Sequence, residues 1–215
     1  MVSRMSVDLS AELAATRLLA IIRGTDTAAA VAAGMALLAE GVRVVEVALT
    51  TPGALAAIEA LRSVAPDGSL VGAGTVLTVS ALADVAAAGA QFVVTPAVVE
   101  PVRAAAHRGL PVLAGALSPT EIYTAVQMGA CAVKLFPASL GGPAYLRAVR
   151  GPFPDLRVVA VGGVGLDQMH AYLDAGAIAV GVGGPLVGDS ASGGSLDELR
   201  TRARAYLASA RKSPP

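Results

Sequence analysis

The stretch "SPTEIYTAVQMGACAVKLFPAS", residues 118–139, holds one structural unit and one anomaly. Ser118 with Glu121 three residues on is a capping-box pattern, in which two side chains satisfy the first backbone N–H groups of a helix. A helical segment follows, and Gly129 closes it, since the left-handed C-terminal cap suits glycine. The run "AVKLFP" (132–137) then shows no polar/apolar alternation. A strand covered on both faces reads this way. The anomaly is Lys134, in the middle of that run. The chain has 16 Lys and Arg residues, yet only Lys134 and Lys212 are lysines, and Lys212 lies in the polar C-terminal segment.

The same unit recurs along the chain. Comparable runs are "LLAIIRG" (18–24), "VVEVAL" (44–49), "LVGAGTV" (70–76), "FVVTP" (92–96), "PVLAG" (111–115), "VVAVGGV" (158–164) and "AIAVGVGG" (177–184), which with "AVKLFP" make eight. Ala-rich segments of helical composition separate them, closed by Gly41, Gly89, Gly109 and Gly176 as well as Gly129. Thr25 or Asp26, and Ser80, are the expected starts of two of these helices. Eight strand–helix units in 215 residues predict a single-domain (β/α)8 TIM barrel, with a short helix before the first strand. A doubly wound open sheet is the rival architecture. Its dinucleotide fingerprint is missing: "GVGGPL" (181–186) ends the eighth run and leaves no room for a nucleotide-binding unit. The barrel is expected over 1–208, with its last helix in "SLDELRTRARAYLASA" (195–210), and 209–215 as a flexible polar tail.

Composition narrows the function classes. Apolar residues make up 54% and aromatics 3%, with no Trp, so the core must be built from Ala, Val and Leu. A formal net charge of zero gives no reason to expect nucleic acid or an acidic membrane as partner. One cysteine, Cys131, excludes an intrachain disulfide and fits a reducing compartment. No run reaches the roughly 18 apolar residues of a membrane span, and "MVSRMSVDLSAELAATRL" is not a signal peptide. The expectation is a soluble, cytoplasmic protein. No pairs of His, Cys, Asp or Glu have structural-zinc spacing, so no metal is expected.

In such a barrel, chemistry sits at the C-terminal ends of the strands. Arg23, Glu46 and Lys134 are ionisable residues inside strand runs near that rim, whereas Arg43 and Arg157 sit at strand starts and read as surface charges. Lys134 has three readings: an ammonium that snorkels to solvent, a permanent cation for a phosphate or carboxylate, or a desolvated amine that attacks carbonyls. Glu46 is either a structural ion-pair partner or a carboxyl that moves protons. Arg23 suits a carboxylate or phosphate, and Thr75 either orients a substrate oxygen or satisfies a backbone carbonyl. Gly162, Gly163, Gly183 and Gly184 follow the seventh and eighth strands, a common phosphate position in this fold, and Pro185 suits a helix start. His107 and His170 fall within helices, away from the rim.

Taken together, "IIRG", "GVRVVEVALTTP", "VGAGTVLT", "AQFVVTPAV", "SPTE", "AVKLFPAS", "GPFPDLRVVAVGGVGLDQ" and "AVGVGGPLV" make the chain resemble the KDPG/KHG aldolase family from about Ile21 to Val187. The resemblance implies a homotrimer of barrels carrying out a retro-aldol reaction with no cofactor or metal. It assigns the Schiff-base lysine to Lys134 and the acid/base glutamate to Glu46. Arg23, Thr50, Thr75 and Pro96 match positions of the substrate site, and Gly162, Gly163, Gly183 and Gly184 match the phosphate loops. The implied reaction cleaves 2-keto-3-deoxy-6-phosphogluconate to pyruvate and glyceraldehyde 3-phosphate. The 6-phosphogalactonate epimer and 4-hydroxy-2-oxoglutarate are the alternative substrates. "AVGGV" (160–164) is similar to the galactonate branch, whereas "GPFPDLR" and "GVGLDQ" are similar to the gluconate branch. Thr50 stands where some members carry Arg, Gly184 stands where serine is usual, and Ala114 stands where proline is usual. Two other functions remain open: a different barrel enzyme using Lys134 as a cation, and a non-catalytic sugar-acid phosphate sensor.

Overall fold

The computed structural model describes residues 8–212. Eight strands, β1 (Leu18–Ile22), β2 (Val44–Ala48), β3 (Leu70–Gly74), β4 (Val93–Thr95), β5 (Val112–Ala116), β6 (Ala132–Leu135), β7 (Val158–Val161) and β8 (Ala179–Val182), close into a barrel in chain order. Every neighbouring pair is parallel, and β8 returns to β1. The helices are α1 (Leu9–Thr16), α2 (Thr27–Ala39), α3 (Ala54–Val64), α4 (Val79–Ala87), α5 (Glu100–His107), α6 (Pro119–Gln127), α7 (Gly142–Arg150), α8 (Met169–Asp174), α9 (Gly184–Val187) and α10 (Leu196–Lys212). The closed barrel is the architecture the recurring units predict, and the open sheet is excluded.

Burial is complete along all eight strands, because one face meets the barrel interior and the other meets the helices. Successive side chains point to opposite faces, so Val45, Val47, Val71, Val93, Val133 and Val158 pack under the helices. Leu19, Ile21, Val44, Leu70, Phe92, Val94, Leu113, Val159 and Val161 fill the interior together with Leu9 and Leu13 of α1. Thus α1 plugs the N-terminal end of the barrel. Its Ser10 donates to the Cys131 carbonyl at 3.0 Å, and its Glu12 pairs with Arg43 at 2.7 Å. Phe92 needs space that only glycine leaves on β3, since a Cβ at Gly72 would lie 2.6 Å from its ring.

The caps follow the sequence in most places. Gly41, Gly89, Gly109, Gly129 and Gly176 all have positive φ, Asp26 caps α2, and Ser118 with Glu121 forms the capping box of α6. Two expectations shift. Thr78, not Ser80, caps α4, accepting from the Ala81 N–H at 3.3 Å, and the Ser80 hydroxyl pairs with that of Thr78 at 3.1 Å. The last helix runs through Lys212, so 209–212 of the expected tail are helical; Arg211 and Lys212 are good helix formers and no breaker precedes Ser213. The remainder of that tail, 213–215, lies outside the described residues. Among the described residues no helix is long and apolar enough to cross a membrane.

Candidate active site

Lys134 projects from β6 into the barrel, level with Gly115 on β5 and Val159 on β7. Glu46 projects from β2, level with Ile21 and Gly72. Their side chains are 7% and 0% exposed, and Lys134 Nζ lies 4.0 Å from Glu46 Oε1. That separation is electrostatic contact without a hydrogen bond. Among the described residues neither Glu46 oxygen has a hydrogen-bond partner. Burial pushes the Glu46 carboxyl above its usual value, and the charges of Lys134 and Arg23 offset only part of that rise. The result is a carboxyl that holds a proton more readily than usual, next to an amine. The seat for it is Gly74, where any Cβ would collide with Glu46 Oε1.

A cavity of about 380 Å³ opens above this pair at the C-terminal ends of the strands. Arg23, Thr75, Pro96 and Lys134 line it, and Gly162, Gly163, Gly183 and Gly184 line the part contributed by the turns after β7 and β8. Arg23 Nη2 donates to Thr75 Oγ1 at 3.2 Å. Thr75 holds this position with φ 59°, a left-handed conformation that a β-branched residue adopts only under constraint. Space is open around Gly184, where a Cβ would meet nothing within 4 Å. Pro185 sits at the first turn of α9, as its rigid φ favours.

Not every expected residue is gathered here. Thr50 is exposed and lines a separate shallow depression with Pro52, Leu55 and Asp84. β2 ends at Ala48, and in the turn after it the buried Thr51, which lines the same depression, accepts from the Gly24 N–H at 3.3 Å. Phe136 was missed by sequence reasoning, although it lines the cavity with its ring centroid 5.4 Å from Lys134 Nζ. Its signal was available: it lies two residues beyond an inward lysine, on the same face. His107 is exposed at the end of α5, and His170 hydrogen-bonds Ser209 at 2.9 Å outside the barrel. Cys131, half-buried near the N-terminal ends of the strands, donates its thiol to the Val112 carbonyl at 3.2 Å. Burial pushes that thiol up. Among the described residues no cluster of three or more His, Cys, Asp or Glu is placed to hold a metal ion.

Fold and site define a (β/α)8 enzyme that places a buried lysine and a buried carboxyl at the mouth of the barrel. A family model described as KDPG and KHG aldolase matches residues 9–200, and the chain belongs to that family. It is an aldolase, a carbon–carbon lyase. It is similar to the probable 2-dehydro-3-deoxy-6-phosphogalactonate aldolase of Rhizobium meliloti (strain 1021), with 38% identity covering 89% of this chain and 90% of that one. It is also similar to the 2-dehydro-3-deoxy-phosphogluconate aldolase of Dickeya dadantii (strain 3937), with 38% identity covering 84% and 86%. Among solved structures it is similar to the KDPG aldolase of Legionella pneumophila, which holds pyruvate captured as a covalent carbinolamine. That match has 31% identity and a TM-score of 0.79, and covers 94% of this chain and 95% of that one.

Proposed function

We propose that the protein cleaves a 2-keto-3-deoxy-6-phospho sugar acid to pyruvate and glyceraldehyde 3-phosphate through a Schiff base on Lys134. The observation that carries this reading is the 4.0 Å approach of Lys134 to a fully buried carboxyl that has no hydrogen-bond partner among the described residues. The Lys134 amine attacks the C2 ketone, and the carbinolamine loses water to give a protonated imine. Glu46 carries the proton for that dehydration and then takes the C4 hydroxyl proton, directly or through a water. The C3–C4 electron pair moves into the imine, which is the electron sink, and the aldehyde leaves. Protonation of the enamine at C3 and attack by water release pyruvate and restore the amine.

The binding roles follow the cavity wall. Arg23, held by Thr75, meets the C1 carboxylate with its donor fork. The N–H groups of Gly162, Gly163, Gly183 and Gly184 meet the phosphate, and the absence of side chains there lets the backbone approach it. Pro96 and Phe136 are apolar wall. Thr50 has no contact role in this reading. Of the two epimers, galactonate is the better supported: relatives named for it align over 89% and 91% of the chain, against 84%, 67% and 86% for relatives named for gluconate. The "AVGGV" turn leans the same way. Family membership also supports a homotrimer, and a half-buried free Cys131 supports a cytoplasmic setting.

Borohydride trapping with pyruvate, followed by peptide mass spectrometry, tests the chemistry. A reduced pyruvyl adduct on Lys134 is expected; no adduct from folded protein removes the Schiff base and leaves Lys134 as a cation for substrate. Assays of both epimeric phosphorylated acids then rank the substrates, with faster cleavage of the galactonate expected. Ligand binding without cleavage of either would mark a sensor instead of an enzyme. Light scattering of the purified chain tests the trimer.

A further inference from the structure

Arg202 lies on α10, outside the barrel, and touches none of the cavity. Its guanidinium nevertheless grips the turn that forms one wall. Nε donates to the Leu186 carbonyl at 2.7 Å and Nη2 to the Val187 carbonyl at 3.1 Å, with Ser190 Oγ at 3.5 Å. Nη1 reaches Glu198 Oε2 at 3.4 Å, which anchors the fork to its own helix. Gly188, with φ 59°, lies directly beneath it, and a Cβ there would stand 2.7 Å from Nη2. The gripped segment is the one whose Gly183, Gly184, Pro185, Val187 and Gly188 line the cavity.

The grip extends to the arginine side of the cavity. Ser190 passes a hydrogen bond to the Ser195 carbonyl at 2.8 Å, and Ser192 Oγ accepts from the Thr25 N–H at 3.1 Å. Between these serines, Ala191 packs so closely on Gly24 that any Cβ at 24 would collide with its carbonyl. The 189–195 loop therefore ties the turn after β8 to the end of β1, next to Arg23. Two carbonyls at an angle require a planar fork with several fixed donors, which arginine supplies and lysine does not.

We propose that Arg202 is a positioning residue for the phosphate end of the substrate cavity. It sets the turn 183–188 at the distance where its N–H groups meet the phosphate, and the inference rests on the phosphate role given to that turn above. Losing charge-assisted bonds to two carbonyls should raise KM for the phosphorylated acid about tenfold. The pyruvate half-reaction, which uses the Lys134 end of the cavity, should not change.

The test is Arg202→Gln and Arg202→Lys against wild type, in three measurements. KM and kcat are read on the phosphorylated acid, adduct formation on pyruvate with borohydride, and protection against thermal unfolding on inorganic phosphate. The expected pattern is a raised KM with kcat within about threefold, unchanged pyruvate trapping and weaker phosphate protection, with Lys intermediate. A lower Tm with unchanged KM and unchanged phosphate protection would overturn the inference, since Arg202 would then only hold the fold. An equal loss in pyruvate trapping would also overturn it. If Arg202→Gln does not fold, Arg202→Lys carries the same comparison. Wild type decides the underlying reading separately: no phosphate protection and no cleavage there would overturn the phosphate role of the turn itself.

Discussion

Two glutamate–cation pairs stand at opposite ends of this barrel, and bond length ranks them the wrong way round for function. At the N-terminal end Glu12 of α1 meets Arg43 at 2.7 Å, with the side chains 24% and 44% exposed. At the C-terminal end Glu46 and Lys134 stop 4.0 Å apart and are almost wholly buried. Water screens the first pair and the close contact adds little. Burial leaves little water to screen the second, and among the described residues Glu46 has no hydrogen bond to offset its desolvation. The well-made pair closes a plug, and the poorly made one is the pair to which the proposed mechanism gives the proton transfers. An end built for stability satisfies its polar groups, and an end built for chemistry leaves some unsatisfied.

Removing the buried cation should break the contrast most completely. Lys134→Ala is expected to cut turnover on the order of 10⁴-fold or more, because no other lysine lines the cavity. Steady-state assay of the folded variant checks it, and near-wild-type turnover would end the Schiff-base reading. Glu46→Gln should slow turnover by about 10²–10⁴-fold, and it should also move stability in the opposite direction to activity. The raised value means the folded protein holds this proton more tightly than the unfolded chain does. Burying the group therefore costs stability as the pH climbs from 4.5, the ordinary value, and the full cost persists above the folded value. Glu46→Gln should accordingly melt above wild type at neutral pH, with the gap closing as the pH falls towards 4.5 and gone below it. Thermal melts across that range read the sign directly, and a variant that melts lower throughout would mean that pairing outweighs desolvation.

These two residues were legible in the sequence for the same reason they are costly in the structure. A charge inside an uninterrupted apolar run is out of place, and both runs proved to be strands buried on both faces. The capping glycines were legible too, because positive φ favours one residue type. What could not be read was which apolar residues face inward. With both faces buried the period-2 signal disappears, so Phe92 and Leu113 inside look no different from Val93 and Val112 outside. Thr50 was misplaced for a related reason: it lies in the turn beyond the end of β2, where strand alternation no longer says which way a side chain faces. The α1 plug and Arg202 were illegible for another reason. Their importance lies in contacts with strands and turns far along the chain, and local pattern carries none of that.

Phe92 sharpens the comparison from the interior, where the sealed end meets the reactive one. Its ring fills the space left by Gly72, which is level with Glu46 across the β2–β3 pair. Phe92→Ala should cost about 3–5 kcal/mol, the transfer free energy of the ring plus the cavity it leaves. Urea unfolding measures that loss, and turnover per folded molecule should fall less than in Glu46→Gln. A loss of activity as large as the Gln variant's would mean the ring also holds Glu46 in place, and the two ends would not be separable.

The smallest effect is expected at the shortest contact. Glu12→Gln keeps the shape of α1 and deletes only the charge facing Arg43, which retains its hydrogen bond to the Gly68 carbonyl at 2.9 Å. Exposed pairs of this kind contribute about 0–1 kcal/mol, whereas the apolar seal made by Leu9 and Leu13 is untouched. Chemical denaturation should place the variant within that range of wild type, and kcat/KM should not move. A larger loss would show that the charge, and not the two leucines, keeps the plug seated. The N-terminal end would then depend for its stability on an ion pair, as the mouth of the barrel does not.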